Sequence, residues 1–249
     1  VAEEAAHFGI SHLLDRRPNT LSEGQRRLVQ LVRAVVASPS LLLMDEPLGF
    51  LEDQVRLKLR AEILRVHHER RLTSIMATAS QQDAMALSDR LVVMIDGRVS
   101  QIGTPDEIYE RPADTSVARF LGEPPINLFP AVVRIDRGDR YLDLPWRTMR
   151  AWPTVLDSLA GLPVVVGVRP EDIELGVPQD AGVAATVQTT EMLGHISAAT
   201  LRAETGDAIR CTVRGIAPRV GTLVDVGFRP DRAHLFDAVT GAALHHPAP

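Results

Sequence analysis

Leu41-Leu42-Leu43-Met44-Asp45-Glu46-Pro47 is an apolar run of strand length that ends in two adjacent carboxylates and is closed by a proline. A run this short and apolar predicts a strand buried on both faces of a parallel sheet. Its carboxyl end is where open α/β sheets bind ligands. Two acids buried there need a metal ion, a proton or an arginine beside them. On these residues alone, a strand that simply exits into a polar turn stays open as the alternative.

Upstream of the strand stands Thr20-Leu21-Ser22-Glu23-Gly24-Gln25, followed by Leu28, Leu31, Val32, Val35 and Val36 at helical spacing. Ser22 is a natural N-cap, and Gly24 lets a ligand approach the backbone. The first turn of such a helix offers free N–H groups and the positive end of the dipole, which suits a phosphate. An ordinary capped helix start explains the same residues. After the strand, the spacing predicts a helix from about Gln54 to Arg70 and a second buried strand over Leu72–Thr78. A short helix follows from Gln81 to Ser88, then a hairpin through Asp96-Gly97. Thr104-Pro105-Asp106-Glu107 is a capping box with proline at the first helical position. Ahead of all this, apolar spacing predicts a helix from Val1 to about Leu14. Near Gly122-Glu123-Pro124-Pro125 the helical periodicity gives way to short β-rich stretches, which suggest a small barrel or sandwich. The domain boundary is therefore placed at about residues 122–127.

The 249 residues suffice for one large or two modest domains. With 45% hydrophobic and 24% charged residues the composition is that of a globular protein. No apolar run reaches the roughly 18–20 residues of a membrane span. Val1-Ala2-Glu3-Glu4 carries acid rather than a basic flank, so no export signal is expected. Cys211, the single cysteine, leaves no intramolecular disulfide, in keeping with a cytoplasmic chain. A net charge of −5 argues against a nucleic-acid partner held by general attraction.

Leu21-Ser22-Glu23-Gly24-Gln25, an amphipathic helix and then Leu42-Leu43-Met44-Asp45-Glu46-Pro47, in that order, resemble the signature motif and Walker B strand of an ATP-binding-cassette (ABC) ATPase. Gly103-Thr104-Pro105-Asp106-Glu107-Ile108-Tyr109 and Pro124-Pro125-Ile126-Asn127 resemble its maltose and carbohydrate-importer branch, as does Val168-Arg169-Pro170-Glu171-Asp172. The resemblance implies an α/β fold. Residues 1–124 would be the C-terminal part of an ABC-type P-loop ATPase domain, and 125–249 a β-rich, OB-like (TOBE-like) regulatory domain. It also implies ATP and Mg²⁺ as cofactors. Asp45 would help hold Mg²⁺, and Glu46 would polarise the attacking water. Ser22, Gly24 and Gln25 would touch the γ-phosphate of ATP held by a second ATPase subunit. Two transmembrane permease subunits would complete the assembly, with this chain peripheral on the cytoplasmic face of the inner membrane.

Four departures from that pattern stand out. No Gly-x-x-x-x-Gly-Lys-Ser/Thr occurs, and Lys58, the one lysine, sits in a glycine-free helix. Ala79 and Ser80 stand where a phosphate-contacting histidine and an aspartate are usual. Glu52 takes an aspartate's place, and Gly49-Phe50 differ from the common form. Glu23 replaces a signature glycine and would bring a carboxylate near phosphate unless it points away. The expectation is a truncated, degenerate ATPase subunit, inactive alone. The alternative is a non-catalytic pseudo-subunit that lends its signature to a partner's ATP. A third reading leaves function to the β-rich domain alone.

The remaining candidates have plainer readings. His67-His68 and the arginines between Arg16 and Arg33 fit solvated helix faces. His245-His246 fit a disordered tail, and Cys211 fits core filling. Trp146 and Trp152 fit packing.

Overall fold

The computed structural model describes residues 1–37, 39–49, 51–151, 154–178 and 182–247. Phe50 and Trp152, two of the candidate residues, lie outside that set. The chain divides into two compact units, Val1–Leu91 and Val92–Pro249.

In the first unit, helix starts and stops follow local backbone chemistry. Helix α1 spans only Ala2–His7, not the stretch to Leu14. Gly9 takes a left-handed φ of +69° and ends it, and 3₁₀ turns at Ser11–Leu13 and Pro18–Thr20 follow. Helix α2 (Glu23–Val36) begins at Ser22 and buries Leu28, Leu31, Val32 and Val35. Strand β1 (Leu41–Asp45) leads to α3 (Asp53–Arg70), which returns the chain to strand β2 (Thr73–Ala77), parallel to β1. Helix α4 (Gln81–Leu87) follows, capped by Ser80. Leu28, Leu31 and Val35 of α2 share one core with Leu42 of β1 and Leu59 of α3. Arg70 donates to the Val35 carbonyl at 2.7 Å and pairs with Glu4, which also meets Arg65, so α1, α2 and α3 are joined by polar ties.

The expectation that both strands are buried on both faces is corrected here. Leu42 is 6% exposed, but Leu43 is 67% and Ile75 61% exposed. Successive strand residues point to opposite faces. One face of this two-stranded sheet packs on the helical core, and the other presents apolar side chains outward.

In the second unit, β3 (Leu91–Ile95) and β4 (Arg98–Gly103) form the expected hairpin. Its turn has φ of +50° at Asp96 and +73° at Gly97, as a type I′ turn needs. Helix α5 (Pro105–Glu110) has the full capping box from Thr104 and Glu107. Asp114 caps α6 (Thr115–Phe120). The strands that follow are β5 (Asn127–Asp136), β6 (Asp139–Asp143), β7 (Thr148–Ala151) and β8 (Pro163–Val168). Next come β9 (Ile173–Leu175), β10 (Val183–Leu193), β11 (Ile196–Ala203) and β12 (Ala208–Arg214). The last are β13 (Leu223–Phe228), β14 (His234–Asp237) and β15 (Ala243–His245). They pair antiparallel into two sheets, ordered β12-β11-β10-β13-β9 and β15-β14-β8-β5-β6-β7. Phe129, Val166, Leu201, Ile209 and Leu235 from both sheets share one core. Cys211 is fully buried in it, and burial pushes its thiol up to about 11, as suits core filling. Trp146 packs edge-on against Phe129 at 4.6 Å.

Three polar residues bind this unit together. Asn127 is 2% exposed. Its Nδ2 donates to the carbonyls of Val168 and Arg210, and its Oδ1 accepts from the Arg210 N–H at 2.7 Å. One carboxamide thereby satisfies both backbone groups of a residue on the other sheet. Arg169, 3% exposed, donates to the carbonyls of Ala118, Leu121 and Tyr109 and lies 3.9 Å over the Tyr109 ring. It ties α5 and α6 to the end of β8, within the compact unit that runs from Val92. His234, 3% exposed, meets His246 with Nδ1 atoms 3.0 Å apart. The tail expected to be disordered is thus ordered: β15 pairs with β14, and His246 partners a buried imidazole. Gly167 is required as well, because a Cβ there would meet Phe236 at 2.8 Å.

Removing the Asn127 carboxamide strands the Arg210 backbone groups. Asn127→Ala is expected to destabilise this unit by about 2–3 kcal/mol. Urea unfolding followed by tryptophan fluorescence checks it, because both tryptophans lie here. Burial first, then the Arg169 charge and the neighbouring imidazoles, pushes His234 from its ordinary 6.5 down to about 3. Unfolded His234 takes up a proton that the folded residue refuses. Its contribution is therefore whole above pH ~6.5 and lost progressively as pH falls towards ~3. Over that range, unfolding midpoints of His234→Gln are expected to fall less steeply than those of the unsubstituted chain.

Candidate functional site

The site is built at the start of α2 and the end of β1. At the helix start, Ser22 Oγ accepts from the Gln25 N–H at 3.3 Å, and Gln25 Oε1 accepts from the Ser22 N–H at 3.1 Å. This reciprocal box locks the first turn around Gly24, and a helix start leaves its leading N–H groups without helix carbonyls. Ser22 is exposed, and Gly24 and Gln25 are half-buried. Glu23, the residue in a glycine's place, is 61% exposed and reaches back along the helix to Arg27 Nη2 at 3.4 Å.

Arg27 differs from the solvated arginines expected around it. Its side chain is only 27% exposed, and Nη1 donates to the Glu46 carbonyl at 2.9 Å. The helix start and the paired carboxylates are therefore tied by one guanidinium. Arg26 and Arg33 are exposed, as expected.

Glu46 is held at every polar atom. Its φ is +44°, a left-handed conformation uncommon outside glycine. Its N–H donates to the Ala77 carbonyl at 2.9 Å, and its carbonyl also accepts from the Gly49 N–H at 3.2 Å. The carboxylate turns to the end of β2, where Oε2 accepts from the Thr78 hydroxyl at 3.1 Å and Oε1 from the Ala79 N–H at 2.5 Å. The Ala79 side chain offers no donor, but its backbone does. Ser80 accepts from the Asp83 N–H at 3.2 Å and caps α4, a role an aspartate would also fill. Glu52 is the N-cap of α3 without a side-chain cap bond.

Asp45 is exposed at the strand end, opposite Ala77 in the ladder. Arg26, Arg27 and Gln30 of α2 line an open groove of about 650 Å³ with Asp45, Glu46 and Pro47. Among the described residues there is no cluster of three or more His, Cys, Asp or Glu able to hold a metal by themselves. Magnesium in phosphate-transfer sites takes one or two carboxylates and fills its sphere with phosphate oxygens and water. Asp45, a single exposed carboxylate on a groove wall, fits that mode. His67 instead meets Ser74 Oγ at 3.3 Å, and the ring of exposed His68 lies 5.7 Å from its own at 71°.

Arg27 and Thr78, the two side chains that donate to Glu46, were not singled out from sequence. An arginine five residues past an N-cap and a threonine ending a strand carry no local signal. Their importance comes from meeting Glu46 across the fold.

Residues 1–49 match the ABC transporter family and residues 166–236 the TOBE domain family. The chain is 39% identical over 253 residues to the sulfoquinovosyl glycerol transport ATP-binding protein of Agrobacterium fabrum, with 98% of this chain and 68% of the relative covered. It is 36% identical over 255 residues to the trehalose/maltose import ATP-binding protein of Thermococcus litoralis, covering 98% and 68%. It is 36% identical over 248 residues to an sn-glycerol-3-phosphate import ATP-binding protein of Chromobacterium violaceum, covering 100% and 66%. The chain thus spans about two thirds of the length of these relatives.

The bond from Arg27 to Glu46 is expected to matter for stability as well as for the site. Arg27→Leu should lower the stability of the first unit by about 1–2 kcal/mol. Arg26→Leu, at an exposed position, should stay within about 0.5 kcal/mol. Urea unfolding followed by far-ultraviolet circular dichroism separates the two.

Proposed function

Because this chain belongs to the ABC transporter ATP-binding family, we propose that it carries half of an ATP site of a carbohydrate importer. The observation that carries the reading is Glu46, fixed at the end of β1 and tied through Arg27 to the capped start of α2.

Hydrolysis of ATP transfers the γ-phosphoryl group to water, and a protein speeds it by positioning and by charge. An ionised carboxylate has about four acceptor positions. Thr78 and Ala79 use one on each Glu46 oxygen. A further acceptor position on each oxygen is left to orient a water and draw on its proton. Asp45 is the carboxylate that would hold magnesium, which when bound neutralises charge between the β- and γ-phosphates. Ser22, Gly24 and Gln25 would present a hydroxyl, a close backbone approach and an amide to the γ-phosphate of ATP held by a second ATPase subunit. Glu23, folded back towards Arg27, leaves that approach clear.

The triphosphate itself needs a grip that these 249 residues do not include, since no Gly-x-x-x-x-Gly-Lys-Ser/Thr occurs in them. The phosphate loop therefore comes from outside these residues. The outward apolar face at Leu43 and Ile75 supports a further layer against β1 and β2, because parallel sheets are covered on both faces. The full assembly adds two transmembrane permease subunits, with this chain peripheral on the cytoplasmic face of the inner membrane. Among the described residues, no helix is long and apolar enough to cross a membrane. The relatives' names point to sugars and glycerol-linked compounds as the cargo class. A second reading, a pseudo-subunit that only lends its signature, is favoured by one observation: Ala79 lacks the side chain that would reach a γ-phosphate on its own side.

The chain alone is expected to show no ATP turnover. Mixed with an intact subunit of the family, it is expected to support turnover that falls at least about tenfold with Ser22→Ala. Glu46→Gln separates the readings once the phosphate-loop part of an intact relative is fused ahead of Val1: it abolishes the turnover gained by the fusion if this chain's own carboxylate acts, and a fusion that gains none marks a pseudo-subunit. Turnover by the pure chain that Glu46→Gln abolishes would overturn both.

A further inference from the structure

We propose that Thr78 and the backbone N–H of Ala79 are the positioning groups of Glu46, doing through a hydroxyl and a main-chain amide what a side chain at position 79 does not do here. This rests on Glu46 being the water-polarising carboxylate.

Three features of the geometry lead there. Both carboxylate oxygens are engaged, by Ala79 N at 2.5 Å and Thr78 Oγ1 at 3.1 Å, and both donors come from the two residues that follow β2. The two contacts are therefore one feature of the β2 end, not separate accidents. Thr78 is itself oriented, because its Oγ1 accepts from the Ser80 N–H at 3.1 Å, which leaves its own proton for Glu46. Ser80 is in turn fixed as the cap of α4. The chain of orientation runs from a helix cap through a hydroxyl to the carboxylate. Finally, the Glu46 backbone is held independently by Ala77, Gly49 and Arg27. With the main chain fixed on one side and the carboxylate on the other, the side chain between them has little freedom left. A main-chain amide cannot be lost by substitution, so Ala79 serves as well as any residue other than proline.

Hydrogen-bonded to a carboxylate, an amide exchanges its proton slowly. Ala79 lies past the end of β2, outside the ladder, so its exchange rate reports on Glu46. In the chain as it is, the Ala79 amide is expected to exchange about tenfold more slowly than in Glu46→Ala. Thr78→Val should lose most of that protection, and Thr78→Ser should keep it. In a fusion that places the phosphate-loop part of an intact relative ahead of Val1, Thr78→Val is expected to lower kcat about tenfold with KM unchanged, and Thr78→Ser to restore it. Exchange at Ala79 that ignores Glu46→Ala overturns the proposal. So does a kcat that ignores Thr78→Val when the exchange depends on Glu46. If the unsubstituted fusion shows no turnover at all, the reading of Glu46 as the water-polarising carboxylate fails, and the exchange series alone decides whether Thr78 and Ala79 hold the carboxylate.

Discussion

The first unit depends on one constraint: Glu46 must sit in a left-handed backbone conformation at the end of β1. A non-glycine residue there is strained, and such strain persists only where surroundings over-determine it. Here they do. Arg27 and Gly49 hold its carbonyl, Ala77 holds its amide, and Thr78 with Ala79 holds its carboxylate. Arg27 also faces Glu23 in the first turn of α2. A shift of that helix start would be felt at the carbonyl of the carboxylate-bearing residue. This is a direct physical route between the capped start of α2 and the Glu46 carboxylate.

The second unit obeys a different constraint. Two antiparallel sheets with many short strands leave edges and ends whose backbone groups need partners. Asn127 supplies them for Arg210 on the other sheet, and Arg169 supplies them for three carbonyls of α5, α6 and their exits. Both are nearly fully buried, and the Asn127 Nδ2 and the two Arg169 Nη atoms donate to carbonyls at good distances. The pairing of His234 with His246 extends the logic to the C-terminal strand, at the expense of a proton-sensitive contact.

Much of this was legible in the sequence where a local pattern sets the outcome. The Leu41–Asp45 strand, the box at Ser22 and Gln25, the Asp96-Gly97 turn and the box at Thr104 and Glu107 each need only neighbouring residues. The strand burial was not legible, because the second face of β1 depends on layers that its own residues do not encode. The early stop at Gly9 turned on one left-handed residue inside an otherwise helical spacing. At the site, Asp45 and Glu46 declare themselves as adjacent acids at a strand end. Ala79 does not declare itself, since the group that matters is a main-chain N–H common to nineteen residue types. Arg27 looks like its solvated neighbours until the fold brings Glu46 to it. His246 is invisible as a partner for the same reason.

On the proposed function, Asp45 and Glu46 of this chain serve ATP hydrolysis and its signature serves a second subunit's ATP, but the 249 residues carry no phosphate grip. Equilibrium dialysis of the 249-residue chain against ATP and magnesium tests it most directly. Without a loop to cradle the triphosphate, no saturable binding is expected below about 1 mM, a loss of several kcal/mol against a micromolar site. One equivalent of ATP bound with micromolar affinity would show instead that these residues grip the triphosphate themselves.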